Sequence, residues 1–155
     1  MSNTRTERLI AQDLLDDSTD RLCFIPATGF YEWAKDETKG HIKTPFNVQI
    51  QDTDVFMMVG IWRETSDFSC CSILTCEATG PLSKIHNRSP VIVPKDIELN
   101  DRSRDKLDTN YLNWLLDSQR TCEMYLTQVS TRVNSVKYNS YECLSEDTTR
   151  QIKLF

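Results

Sequence analysis

The sequence predicts an α+β domain built on an antiparallel, barrel-like sheet with two or three peripheral helices, and three observations carry that expectation. Short apolar stretches bounded by turn residues recur from Arg21 to Val93 and return near the C-terminus. Helical spacing of apolar residues shows clearly in two places, one early and one late. The length of 155 residues, with 39% hydrophobic and 26% charged content, suits one soluble domain spanning 1–155 with no visible boundary.

Each element has a local reason. Thr4 and Glu7 have capping-box spacing, and Leu9, Ile10, Leu14 and Leu15 come after them, which predicts a helix over 5–15. The acidic run Asp13, Asp16, Asp17 and Asp20 ends it. Residues 21–25 read as a strand, Pro26 to Gly29 as a turn, and 30–34 as a second strand, an apolar hairpin with Glu32 inside it. A charged loop over 35–44 leads to a second expected hairpin, 45–50 and 55–61, around Gln51, Asp52, Thr53 and Asp54. Residues 69–76 form the next buried strand, broken by Gly80 and Pro81. A short connection over 82–86 precedes a strand at 91–93, stopped by Pro94. Leu107, Tyr111, Leu112, Trp114, Leu115 and Leu116 mark a helix within 105–117, and 123–129 with a segment near 133–137 close the pattern.

Composition excludes several classes. Nothing approaches eighteen consecutive apolar residues, and the first ten residues carry Arg5, Glu7 and Arg8 where a signal peptide needs an apolar stretch. A cytoplasmic protein with no membrane partner is expected. The six cysteines are therefore expected to be reduced and mostly buried. No Cys-x-x-Cys pair and only two histidines argue against zinc, and no cofactor is implied. Four glycines and five prolines leave little room for disorder, and no repeat is visible. A net charge of −5 sits awkwardly with nucleic-acid binding, which usually leaves a basic footprint.

Three places break the local rules. Glu32 is a carboxylate among aromatic residues; buried, it would have a raised pKa suited to general acid–base work, while strand alternation alone would equally turn it to solvent. His86 stands in a loop just before a strand, where catalytic groups gather and where a histidine is also simply exposed. The segment from Asn3 to Glu7 reads as a helix start that explains Thr4 and Glu7 but leaves Arg5 without a task.

Taken in order, NTRTE (3–7), RLCFIPATGFYEW (21–33), KIHNRSPVIV (84–93) and VSTRVNSVKYNSYECL (129–144) resemble the SRAP family, the SOS-response-associated peptidase or abasic-site processing proteins. The resemblance covers about 3–144 and implies an SRAP-type fold. It also implies a partner, single-stranded DNA whose abasic site exposes a sugar aldehyde, and a role in the DNA damage response. The family's nucleophile is a cysteine that becomes N-terminal once Met is removed. Its α-amine, with an ordinary pKa near 7.7 to 8.0, forms a Schiff base and its thiol closes a thiazolidine ring, a covalent DNA–protein cross-link. By resemblance Glu32 shuttles protons, His86 promotes sugar ring-opening, Asn3 orients the reacting groups, and Arg5 and Arg88 contact phosphates. Trp33 supports the site by packing. A local basic groove suffices for one short single strand, so the acidic total is tolerable. The peptidase label implies removal of the family's own N-terminal residue, and the aldehyde chemistry is lyase-type.

The chain departs from the family in two places. Ser89 replaces an expected hydrophobic residue, without touching any assigned role. A full SRAP domain begins Met-Cys-Gly-Arg well upstream of the Asn-x-Arg motif, which here starts at residue 3. The expectation is therefore a partial domain without its nucleophile, inactive for stable cross-linking, with an apolar sheet edge that a missing N-terminal fragment would cover. Two other readings are a non-catalytic single-stranded DNA-binding remnant or half of a split protein, and a small Glu/His peptidase-type hydrolase. After Met removal the Ser2 amine, within about 7 Å of Asn3 along the chain at roughly 3.5 Å per residue, is a candidate for a transient Schiff base.

Overall fold

Apolar spacing decides strand and helix along this chain in the computed structural model, which describes residues 2–11, 21–35, 43–64, 66–93, 107–120 and 122–145. The elements in order are β1 (Ser2–Arg5), α1 (Thr6–Ala11), β2 (Arg21–Ala27), β3 (Phe30–Lys35), β4 (Lys43–Ile50), β5 (Phe56–Glu64), β6 (Ser69–Glu77), β7 (Arg88–Pro90), α2 (Thr109–Gln119) and β8 (Met124–Gln128). Single 3-10 turns lie at Gly80–Lys84, Thr131–Asn134 and Tyr141–Leu144.

The strands make two sheets. The first runs β1-β6-β5-β2 with β7 also against β6, and the second runs β3-β4-β8. Alternation along β5 shows how they stack, because Val59 joins one core cluster and its neighbour Met58 the other. On the Val59 side, Leu74 and Val91 pack with Leu9 of α1 and with Leu112 and Leu115 of α2. On the Met58 side, Ile92 and Leu82 pack with Val48 and Ile50 of the second sheet. The first sheet is thus a middle layer between the helices and the second sheet. Leu74, Leu112, Leu115, Val48 and Val59 are wholly buried, and each such side chain contributes about 1.5–3 kcal/mol.

The α+β class stands, but the sheets are arranged differently from the expectation. Neither expected hairpin forms: β2 pairs with β5 while β3 pairs with β4, so both short turns carry the chain from one sheet to the other. Gly29 makes the first crossing possible, since a Cβ there would stand 2.5 Å from Asn47 Oδ1. The true hairpin partners are β3 with β4, across residues 36–42, and β5 with β6, across residues 65–68. Among the described residues no strand pairing joins the two sheets, and β1 lies parallel to β6, so the architecture is layered and not purely antiparallel.

The helix expected over 5–15 begins at Thr6, because residues 2–5 are drawn into the sheet; residues 12–15 and the acids at 13, 16, 17 and 20 lie outside the described residues. α2 starts at Thr109 because the Asp108 carboxylate accepts a hydrogen bond from Tyr111 N at 2.7 Å and so caps it; residues 105–106 are likewise outside the described set. The segment near 133–137 holds a 3-10 turn where a closing strand was expected. β2 ends the first sheet's pairing path, and its Leu22 to Ile25 are half-buried.

The first sheet splits along β6, which pairs with β5 only up to Ile73 and beyond it pairs with β7. The chain from Arg88 to Val93 fills the gap as the two strands diverge. Val59 N donates to Val91 O at 2.8 Å, Val91 N to Leu74 O at 2.8 Å, and Val93 N to Met57 O at 2.9 Å.

Candidate functional site

Register decides where Glu32 points. In the β3–β4 pair Phe30 stands opposite Val48 and Glu32 opposite Phe46, and both of these β4 residues are buried. Phe30 and Glu32 therefore share the inner face, and the Phe30 ring meets Phe56 of the first sheet edge-on at 6.5 Å. Glu32 faces the first sheet and retains 20% of its side-chain exposure. Burial is the larger influence on its carboxyl and holds it above the usual range, against the opposing pull of His86 and of the Trp33 backbone N–H.

His86 arrives from the first sheet. The Gly80–Lys84 turn ends with the Leu82 carbonyl accepting from both Ile85 N and His86 N, each at 3.0 Å. The imidazole Nδ1 lies 3.5 Å from Glu32 Oε2, 3.0 Å from the Arg88 carbonyl oxygen and 3.3 Å from Arg88 N. Two residues 54 positions apart, 86 against 32, thus form a carboxylate–imidazole pair at the junction of the sheets. Such a pair can hold and pass a proton near neutral pH.

The other predicted residues fall around this pair unevenly. β1 sets Asn3 opposite Ile73 and Arg5 opposite Thr75, so alternation turns both to the face that Ile73 directs toward the second sheet, the side on which Glu32 lies. Both are exposed. Ser2 lies opposite Ser72 at the start of the same strand. Trp33 is on the outer face of β3, its ring 6.5 Å from Tyr31 and its Nε1 donating to Asn134 Oδ1 at 2.6 Å. It braces the strand that carries Glu32 from behind.

Arg88 is engaged within the protein. Its Nη1 and Nη2 donate to the two oxygens of Glu7 at 2.6 and 2.9 Å, and Nη2 also donates to the Thr75 carbonyl and, at 3.2 Å, to Thr75 Oγ1. Its Nε is buried without a partner among the described residues. The fork that a phosphate would use is filled by a carboxylate. The Arg88 guanidinium holds the Glu7 carboxyl below its usual range, and Glu7 in turn raises Arg88. Sequence reasoning gave Glu7 to a helix cap and passed over Thr75; the 81 residues between Glu7 and Arg88 carry no local pattern that would join them.

The cysteines are free, as expected, but only Cys143 is buried, four are half-buried and Cys70 is exposed. Cys23 and Cys71 approach to 3.5 Å between sulfurs over Gly60, which has no side chain to separate them. Burial and the neighbouring thiol push Cys23 up to about 12, and burial also raises Cys76 and Cys122, the reverse of an activated thiol. Among the described residues no three metal-ligating side chains gather, and no helix is long and apolar enough to cross a membrane.

Comparison with known proteins supplies the context for this geometry. Residues 1–136 match the family described as SOS response associated peptidase (SRAP). The chain is 30% identical over 150 residues to "Abasic site processing protein YoqW" of Bacillus subtilis (strain 168), covering 93% of this chain and 66% of that one. It is 32% identical over 130 residues to "Abasic site processing protein YoaM" of the same organism, covering 81% and 56%. The chain therefore spans less than two thirds of the length of these curated relatives. A crystal structure of a protein from Bacteroides thetaiotaomicron superposes with a TM-score of 0.70 at 18% identity over 93% of this chain and 65% of that one, which fixes the fold alone. With the family match running through both Glu32 and His86, the chain belongs to the SRAP family.

Proposed function

We propose that Glu32 and His86 are the proton-transfer half of an abasic-site processing centre acting on single-stranded DNA. One observation carries the reading: two segments remote in sequence bring a half-buried carboxylate with a raised pKa to 3.5 Å from an imidazole, with the imidazole still partly open to solvent. A sugar aldehyde reacting with an amine needs this pairing. The amine adds to the carbonyl carbon, and the resulting hydroxyl leaves as water only after it gains a proton, which a carboxyl raised by burial holds more readily and can give. The imidazole serves the preceding step, in which the closed sugar ring opens by moving a proton from the C1′ hydroxyl to the ring oxygen. Asn3 and Arg5, exposed on the facing side of β1, orient the strand by hydrogen bonds and phosphate contact.

In the family scheme the amine and thiol belong to an N-terminal cysteine. The first cysteine of this sequence is Cys23, inside β2, where it has no α-amine.

The test supplies an N-terminal cysteine. Fusing a segment that begins Met-Cys-Gly-Arg, the start the family resemblance implies, ahead of this chain is expected to yield an SDS-stable adduct with abasic single-stranded DNA. Glu32→Gln and His86→Ala are each expected to slow its formation by about a hundredfold, the lower end of what general acid–base catalysis supplies. Unchanged rates in both variants would remove the assigned roles.

A further inference from the structure

We infer that Glu7 is a positioning residue for His86, acting through Arg88. The inference deepens the proposed site and rests on that reading for its catalytic meaning, while its geometry stands independently. α1 continues directly from β1 without an intervening loop, so Glu7, its second residue, emerges at the end of the edge strand. Arg88 stands on the opposite side of β6, in β7. To join them, the Arg88 side chain crosses β6 at Thr75, donating to that residue's carbonyl and hydroxyl on the way to both Glu7 oxygens. A planar guanidinium held at four acceptor atoms cannot rotate, so the backbone at residue 88 is restrained from its own side chain as well.

That backbone is what holds the imidazole. His86 Nδ1 is bracketed by the Arg88 N–H at 3.3 Å, the Arg88 carbonyl at 3.0 Å and Glu32 Oε2 at 3.5 Å. Two oxygens against one N–H favour a proton on Nδ1, leaving the Nε2 lone pair for a substrate. The Arg88 N–H and carbonyl belong to successive peptide planes, so a small change in the Arg88 backbone torsions would withdraw the carbonyl from Nδ1 while leaving the N–H beside it, and favour the other tautomer. Glu7 therefore selects which ring nitrogen of His86 is basic.

The test reads the imidazole directly and needs no DNA, so its failure is distinct from failure of the functional reading. With only His41 and His86 in the chain, an asparagine variant of each assigns the ring-nitrogen signals. In Glu7→Gln the His86 nitrogen shifts are expected to leave their single-tautomer positions and move toward those of a mixture. Glu142→Gln, which breaks the exposed pair between Glu142 and Arg132, is expected to leave them in place. A folded Glu7→Gln protein with unmoved His86 signals would overturn the inference, as would an equal displacement in Glu142→Gln. If Glu7→Gln fails to fold, Glu7→Asp, which keeps the charge but withdraws the carboxylate by one methylene, is expected to give the same displacement, and unmoved signals there overturn it equally.

Discussion

Replacing Arg88 with methionine isolates the energetic side of the clamp. The substitution removes two charge-assisted hydrogen bonds to Glu7 and two to Thr75. A hydrogen bond to a charged group is worth about 1.5–3 kcal/mol when shielded, but Glu7 keeps 56% of its side-chain exposure and is readily rehydrated, which leaves its part at no more than about 1 kcal/mol. Thr75 is not stranded, because its carbonyl still accepts from Thr6 Oγ1 at 3.2 Å and its hydroxyl still donates to the Thr4 carbonyl at 3.3 Å. Methionine also relieves the buried Nε that has no partner among the described residues, an offset of about 1 kcal/mol or more. The expected loss is about 1–2 kcal/mol at pH 7, read as a lower urea midpoint at unchanged slope. Its pH dependence is set by Glu7. A carboxyl held below its ordinary 4.5 contributes stability that is complete above 4.5 and is lost as pH falls through the lower folded value, so the gap between the two proteins should narrow below pH 4.5. A gap that persists unchanged at low pH, or a variant at least as stable as the native chain at pH 7, would show that the clamp is not held by charge.

Single positions carry further expectations. Glu32 has the opposite sign: its raised carboxyl contributes stability present at low pH and lost as pH rises through the folded value, so Glu32→Gln should gain on the native chain between pH 4 and pH 8 in urea titrations, and a constant difference would contradict its burial. Gly29→Ala, which sets a methyl 2.5 Å from Asn47 Oδ1 and 3.2 Å from the Val48 carbonyl, should cost about 1–3 kcal/mol and lower the melting temperature; an unchanged melt would mean that the crossing between the sheets can yield. Leu112→Ala, at a wholly buried position between α2 and the first sheet, should cost about 2–5 kcal/mol by the same urea assay, and a loss under 1 kcal/mol would place that helix outside the core.

What the sequence made legible was local chemistry. The strand character of 21–25 and 69–76, the apolar face of α2 and the oddity of Glu32 and His86 were all written in short windows, while Pro26 and Ala27, read as turn, continue β2. Partnership between strands was not. The turns at residues 28–29 and 51–55 look like hairpin turns because of their length, yet strands apolar on both faces can leave either end of a turn for a different sheet. β1 was hidden because Asn3, Thr4 and Arg5 are polar, and only the waiting edge of β6 makes them a strand. Glu7 shows the same limit at the site. Its spacing from Thr4 fits a capping box, while its carboxylate is spent on an arginine 81 residues away. Whether Glu32 turned inward rested on the register with Phe46, which no pattern within β3 could decide.

The wedge of residues 88–93 between β5 and β6 bears on motion. Amide groups of Val91 and Val93 donate to strands on opposite sides, so this segment can leave only if the centre of the first sheet opens with it. Their hydrogen exchange should therefore approach the rate of global unfolding, far slower than that of exposed turns. His86, held by the backbone of Arg88 at the start of that wedge, is therefore tied to the same opening of the sheet.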